Sequence, residues 1–366
     1  MDINGVIAKA QAGDAEAQLE LGRLYYYGKE IEQDISEAVR WFALAAKQGY
    51  AKAQFALGRS YYFGEGVEED EEEAAKWFAL AAKQGHVRAQ YYFGLCNYCG
   101  TGLDENEQEA FKWFSLAAAQ GDADAQFYLG ICYSIGAGVE EDYNQAAKYY
   151  KMAAEQGHAD AQVRLGLSYG LGAGVPESAA LAFKYYKSAA DQGNADGQFY
   201  VGQCYKDGDG VPVDLALAIK YYRLAADQEH ADALRDLAHC YWQGVGVEKN
   251  LVEAVKLYKM AAQLGSAGAM STLGYMYSTD RVLGNNPSEA LKWYIQAHEN
   301  GDSNAAARIA EIYQNGDGAV KDDAKAMHWY VISYENGNTP AAYYIARLYE
   351  KMGNYAEAAK WDAKNI

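Results

Sequence analysis

Proline is nearly missing from this sequence, with 4 in 366 residues, while 33 are tyrosine and half are hydrophobic. So aromatic and apolar a chain does not stay disordered. Basic residues are also short, 32 Lys and Arg against 50 Asp and Glu, for a net charge of −18. That excludes a general affinity for nucleic acid or anionic membrane, both of which require basic surface. No uninterrupted apolar run approaches the roughly 18 residues of a membrane span. The start, MDINGVIAKAQAGD, lacks the basic-then-apolar order of a secretion signal. A cytoplasmic protein with reduced thiols is therefore expected. No HExxH or Ser–His–Asp spacing is legible, so catalysis is not expected and no cofactor is implied.

What the chain does have is a period. AEAQLELGRLYYYG from Ala15, AKAQFALGRSYYFG from Ala51 and ADAQFYLGICYSIG from Ala123 fall on a spacing of 36. Repeat starts follow at 15, 51, 87, 123, 159, 195, 231, 267, 303 and 339. Counting each start as position 0, alanine at 2, an aliphatic or Phe at 6, Gly or Ala at 7 and Tyr at 10 share one side of a helix over positions 0–12. A second helix, positions 20–33, carries Ala at 23, aromatics at 26 and 27 and paired alanines at 30 and 31. Alanines such as Ala45 and Ala81 permit close helix approach. These are the A and B helices of an all-α superhelical solenoid of about ten helix-turn-helix units.

The turns are equally legible. Position 19 reads Asp34, Asp70, Asn106, Asp142, Ser178, Asp214, Asn250, Asn286 and Asp322, all good N-caps. Glu37, Glu73, Glu109, Glu253 and Glu289 follow three residues later and are expected to complete capping boxes. Gly49, Gly85, Gly121, Gly157 and Gly193 end the B helix, where a left-handed residue is wanted. Residues 1–14 read as a lone capping B helix, and 15–366 as the solenoid. In the last repeat a shorter KMGNY loop brings Trp361 into the B-helix aromatic column.

Residues 53–85 show the repeat almost complete, in Ala53, Gln54, Leu57, Gly58, Tyr61, Gly64, Gly66, Val67, Asp70, Ala74, Trp77, Phe78, Ala81, Ala82 and Gly85. This pattern resembles the Sel-1-like repeat over nearly the whole chain. The resemblance implies a relative of the tetratricopeptide solenoids, with A helices lining a concave face and an adaptor or scaffold role without chemistry. Family members serve in signalling, protein quality control, host interaction and toxin immunity. Some secreted members pair cysteines across the two helices of a repeat, and this chain has no B-helix cysteine. The repeat SAGAMSTLGYMYSTDRVLGNNP departs from the pattern, with Asp280 and Val282 in place of the loop glycines.

Several features imitate chemistry. GEGVEED at Gly64 lacks the strand, third glycine and Lys-Ser/Thr of a phosphate loop. EEDEEE lacks the alternation of a calcium loop, and acids at a helix start have a dipole reason. Cys96, Cys132, Cys204 and Cys240 share position 9 with Leu, Ser, Met and Ile, a packing column, so no metal site is expected. His86, His158 and His230 share the turn between repeats.

The variable residues point to function. Position 10, including Tyr25, is expected in the core, whereas positions 1, 4, 8 and 11, flanked by 5 and 12, face away from it. There stand Arg23, Tyr26, Tyr27, Arg59, Tyr62, Phe63, Tyr91, Leu95 and Tyr98, then Tyr128, Ile131 and Leu167. Trp242 is the one tryptophan on this A-helix stripe. Aromatic rings with flanking arginine are what interface hot spots favour. Position 4 stays open between binding and packing on the adjoining repeat. The expected function is a non-enzymatic scaffold holding a protein or peptide in the groove, with Arg23 and Arg59 fixing a carboxylate. Two alternatives are an immunity protein neutralising a basic toxin or effector, and a structural spacer or self-assembling protein.

Overall fold

The computed structural model describes residues 2–279 and 285–364. Asp280 and Val282 lie outside the described residues. The described chain is helical throughout, with no strand among those residues. It forms two compact units, residues 1–192 and 193–366.

The first unit opens with α1 (Ile3–Gln11). Five A/B pairs follow: α2 (Ala15–Tyr27) with α3 (Ile35–Lys47), α4 (Ala51–Phe63) with α5 (Glu71–Lys83), and α6 (Val87–Cys99) with α7 (Glu107–Ala119). The last two are α8 (Ala123–Ile135) with α9 (Tyr143–Glu155), and α10 (Ala159–Leu171) with α11 (Ala179–Asp191). The second unit has the pairs α12 (Ala195–Asp207) with α13 (Leu215–Ala226), α14 (Ala231–Gln243) with α15 (Leu251–Gln263), and α16 (Ala267–Thr279) with α17 (Pro287–Glu299). It ends with α18 (Ala305–Asn315), α19 (Asp323–Glu335), α20 (Ala341–Lys351) and α21 (Tyr355–Asp362). Within each unit every helix packs on the next in the chain.

The A–B contact is unusually close. Gly22, Gly58, Gly94 and Gly130 lie under the rings of Phe42, Phe78, Phe114 and Tyr150, where a Cβ would stand 2.5–2.7 Å from ring carbons. Those rings are buried, Phe78 and Phe114 completely. Position 10 differs from expectation. Tyr25 and Tyr61 are half-buried, and Tyr133 and Tyr169 stack on Tyr149 and Tyr185 at 5.7 Å, at the rim of the A–B contact. The deep ring is the B-helix one at position 27.

Repeats are joined by a polar ladder inside the core. The Gln54 amide donates to the Ala46 carbonyl of the preceding B helix (3.3 Å), and its oxygen accepts from Gln84 at the end of its own B helix (2.7 Å). Gln18, Gln90, Gln126 and Gln162 repeat both bonds. A buried amide thereby fixes three helices together, because leaving any of these groups unpaired is costly. In the second unit Leu234 and Met270 occupy the same column and are buried as plain hydrophobes.

All nine expected N-caps accept from backbone N–H groups of the B helix, as Asp34 does from Glu37. The reciprocal half of the capping box is replaced. The cap's own N–H donates to the position 10 carbonyl, Asp34 to Tyr25 and Asp70 to Tyr61 (both 3.0 Å). The glutamates turn instead to a cation three residues on, Glu37 to Arg40 and Glu73 to Lys76. The A-to-B turn is short enough for the main chain to satisfy the cap, which frees the carboxylate.

The second glycine of that turn is constrained twice. Gly174 has φ 73°, and a Cβ there would lie 1.9 Å from the Tyr143 carbonyl oxygen of the preceding B helix. Glu30 holds the same place in the first full repeat, left-handed at φ 66°. Glu229 is also left-handed, at φ 59°, in the turn where Gly193 and Gly265 stand.

Two outcomes test this account. Gln90→Ala should cost about 1–3 kcal/mol in chemical denaturation, because it removes the bonds to the Ala82 carbonyl and from the Gln120 amide and leaves a cavity. Gln90→Leu loses the same bonds but fills the space, and should cost less. Glu229→Gly should raise stability by about 1 kcal/mol, seen as a higher melting temperature, because it removes left-handed strain.

Candidate binding groove

Helix position 11 aromatics were expected to stand free, and the structure corrects this. Tyr62 packs against Phe78 (6.0 Å) and Tyr92 (5.8 Å), and Tyr98 against Phe114 (6.2 Å) and Tyr128 (6.0 Å). Tyr92 and Tyr128, at position 5, lie flat on Phe78 and Phe114 at 5.1 and 5.2 Å, bridging one B helix to the next A helix. Through the sixth repeat position 4 is packing rather than free surface. Leu19, Tyr91, Phe127 and Phe199 are buried, and Phe55 stacks on His86 at 4.7 Å. Leu95, Tyr98, Tyr128 and Ile131 are partly buried against the same clusters, and Leu167 is half-buried. What stays in solvent is position 12: Tyr27 is 60% exposed and Phe63 47%.

Position 5 carries the bridging tyrosine in the third, fourth and sixth repeats, and Glu20 and Arg164 stand there in the first and fifth. Position 5 of the second repeat is Ala56. Beside it a groove of about 350 Å³ opens, lined by Arg23, Tyr26, Tyr27, Phe42, Phe55, Ala56, Arg59 and Ser60, with Lys52, Glu65, His86 and Arg88. Of the expected residues, the structure therefore brings Arg23, Tyr26, Tyr27 and Arg59 to one place. Tyr62, Phe63, Tyr91 and the residues after them lie outside its lining. Trp242 lies apart from these, in the second unit, beside a groove of about 240 Å³ with Tyr275 and Arg308.

The polar groups of the first groove are unevenly satisfied. The Tyr26 hydroxyl donates to Glu65 Oε2 (2.9 Å), and Arg59 approaches the same oxygen at 3.8 Å. Burial, then this bond to Glu65, raises the Tyr26 phenol above its ordinary value. Arg88 is committed elsewhere, to Asp122 (3.0 Å) and Asp124 (2.6 Å). Arg23 and Lys52 meet no carboxylate at ion-pair distance among the described residues.

Three turn histidines share one geometry. His86, His158 and His230 each cap an A helix, with Nδ1 accepting from the N–H of Ala89, Ala161 or Ala233 at 3.1–3.2 Å. In a neutral ring the proton then sits on Nε2. His158 Nε2 lies 3.4 Å from Asp124 and His230 Nε2 lies 2.9 Å from Asp196. At His86 the corresponding residue is Lys52. Burial first, and Lys52 second, hold the His86 imidazole below its ordinary value.

Of this lining, Lys52, Ala56, Glu65 and His86 were not expected from the sequence. Reading positions 1 and 35 as a coupled pair of columns would have exposed the Lys52 exception, and position 5 would have exposed Ala56. The buried cysteines behave as packing groups. Burial pushes the Cys96 and Cys132 thiols up to about 12, away from the thiolate that redox or metal chemistry uses. Among the described residues, no group of three or more His, Cys, Asp or Glu could hold a metal. No helix among them is long and apolar enough to cross a membrane.

Stacked helix pairs with a variable A-helix face define a solenoid repeat protein. The Sel1 repeat model matches nine consecutive segments, residues 15–50 through 303–338, and the chain belongs to the Sel1-repeat family. The tenth pair, α20 and α21, is a shortened unit beyond those matches. Among solved structures, c5321, a protective antigen of uropathogenic Escherichia coli displaying an SLR fold, is 32% identical with a TM-score of 0.74. That match covers 100% of this chain and 79% of the antigen. A Sel1 repeat protein from Oxalobacter formigenes is 32% identical with a TM-score of 0.62, covering 67% of this chain and 96% of its own. Immunity protein Pa5087 from Pseudomonas aeruginosa is 21% identical over 60% of this chain and 83% of its own, with a TM-score of 0.43. No curated protein sequence matches the chain.

One pH dependence follows from the histidine pairs. The hydrogen bond from His158, and after it Arg88, holds Asp124 at about 2 against an ordinary 3.8. A carboxylate with a depressed value stabilises the fold above the unfolded value and stops doing so as pH falls through the folded one. Asp124→Asn should therefore cost about 1 kcal/mol at neutral pH, modest because the pair is partly solvated. The gap to wild type should close between about pH 4 and 2 in denaturation measurements across that range.

Proposed function

We propose that the protein is a non-enzymatic interaction scaffold that holds a protein or peptide segment along its A-helix face, with the Ala56 groove as the principal seat. Membership of a repeat family whose members generally mediate protein–protein contacts supports the scaffold reading. The observation that carries the seat is the missing bridge. Tyr92 and Tyr128 close the equivalent gap between later repeats, and Ala56 leaves it open beside exposed Tyr27. An aromatic or aliphatic side chain entering there removes apolar surface from water against Phe42, Phe55 and Tyr26. Phe63, in line with Tyr27 one repeat on, extends the apolar rim.

The immunity reading keeps one support, the charge of −18, which suits electrostatic capture of a basic domain. Capture of that kind needs acidic surface. The groove itself is lined by more cations than acids, so a basic partner would sit elsewhere on the molecule.

Ala56→Tyr tests the seat without removing any contact, since the chain already accommodates tyrosine at this position in Tyr92 and Tyr128. Random peptides displayed on phage should be enriched by the wild-type protein. They should not be enriched by Ala56→Tyr with an unchanged melting temperature. Equal enrichment by both proteins removes the groove from the account.

A further inference from the structure

We infer that the mouth of this groove, around His86, Lys52 and Arg59, is an anion seat that receives an aspartate or glutamate side chain of the bound segment. The inference rests on the groove reading above and names the chemistry of its occupant.

The argument is an internal comparison. The turn histidine occurs three times with the same cap bond and the same aromatic partner, stacked on Phe55, Phe127 or Phe199 at 4.6–4.8 Å. Twice its outward Nε2 lies against an aspartate of the same repeat, Asp124 or Asp196. In the second repeat Lys52 stands where that aspartate would be. A donor stands in the acceptor's place, so His86 and Lys52 both line the groove and neither meets a carboxylate at ion-pair distance among the described residues. Burial and Lys52 hold the His86 imidazole below its ordinary value, and with Nδ1 accepting from Ala89 a neutral ring donates through Nε2 alone. This gap in the polar pairing coincides with the gap in ring packing left by Ala56, and both open into one groove.

The surrounding charges favour the same ligand. Arg23 and Lys52 are exposed and without an ion-pair partner among the described residues, and Arg59 has only the long approach to Glu65. Glu65 is itself held by Tyr26. Arg88 faces His86 too, with its charge spent on Asp122 and Asp124. The acidity of the rest of the molecule is screened beyond about 8 Å at physiological salt, so the nearby cations dominate. A basic side chain entering here would meet three like charges. A segment with one acidic residue beside an aromatic or aliphatic one satisfies both the donors and the apolar pocket.

The test reads the composition of the peptides that the full-length protein selects from a random displayed library. Wild type should select sequences with Asp or Glu next to a large apolar residue. Replacing that acid by its amide in a synthetic copy should weaken binding about tenfold. Lys52→Asp restores the pair that His158 and His230 already make, so it should fold, and it should lose the acid preference while keeping the apolar one. If Lys52→Asp is unstable, Lys52→Gln removes the cation alone and should reduce the acid preference. In histidine NMR spectra the His86 resonance, assigned by its loss in His86→Asn, should titrate at higher pH with the acidic peptide bound. Apolar peptides selected without acids, an acid preference unchanged in the Lys52 variant, or an unmoved His86 titration would each overturn the anion seat and leave the groove standing. Failure to select any peptide would overturn both.

Discussion

Everything in this fold depends on how closely the two helices of a repeat approach. A glycine in the A helix lies directly under an aromatic ring of the B helix, with less room than a single methyl group needs. Gly22 under Phe42 and Gly166 under Tyr186 leave 2.5 Å between an added Cβ and the ring. That contact fixes the rotation of each A helix about its own axis. Because rotation is the same from repeat to repeat, positions 8, 11 and 12 recur on a common face. A surface that can be read as a column, and altered one residue at a time, follows from this constraint. Where Ala238 and Ala310 replace the glycine, their partners Tyr258 and Tyr330 are still buried, so the geometry tolerates a methyl group in those pairs.

Between repeats a second constraint acts. The buried glutamine links the preceding B helix to the end of its own, and its polar groups are all committed within the core. A buried amide of this kind contributes little net energy when satisfied and a large penalty when misplaced. It therefore acts chiefly on register, allowing one offset between adjacent units and disfavouring a slip by a turn. The first unit uses it in every full repeat, while Leu234 and Met270 show that apolar packing can take the place.

How much of this was legible depended on the range of the interaction. Period, helix bounds, N-caps and left-handed glycines were readable because each is decided within a few residues. The capping boxes at Glu37 and Glu73 were half misread, since a helical cation at three residues competed for the carboxylate and the Tyr25 and Tyr61 carbonyls took the cap N–H. The larger miss concerned Tyr62 and Tyr98, at position 11. A helical wheel shows which residues face away from the partner helix, and it is silent on what the next repeat brings. Tyr92 and Tyr128 come from that next repeat and cover the rings. The groove was legible in principle only by comparing repeats, in Ala56 where Tyr92 and Tyr128 stand and in Lys52 where Asp124 and Asp196 stand beside a turn histidine.

That comparison has a physical basis. In a stack of near-identical units, a change that spoils packing is felt at two interfaces, so the columns that pack stay uniform or vary among residues of like size. With alanine at position 5 the second repeat lacks the stacking that Tyr92 and Tyr128 make on Phe78 and Phe114, and apolar surface beside Phe42 stays open to water. With lysine rather than aspartate beside it, His86 lacks the ion pair that His158 and His230 make, and like charges stand near one another. Each is unfavourable for the isolated chain, and they lie in the same repeat on the same groove. Two independent losses of internal complementarity at one place are readily understood if something outside the chain supplies both missing partners, an apolar group for the gap and an acceptor for the donors. Neither loss alone would distinguish a binding seat from imperfect packing; their coincidence, with exposed Arg23 and Tyr27 at the rim, is what marks this stretch of the A-helix face as different from the rest.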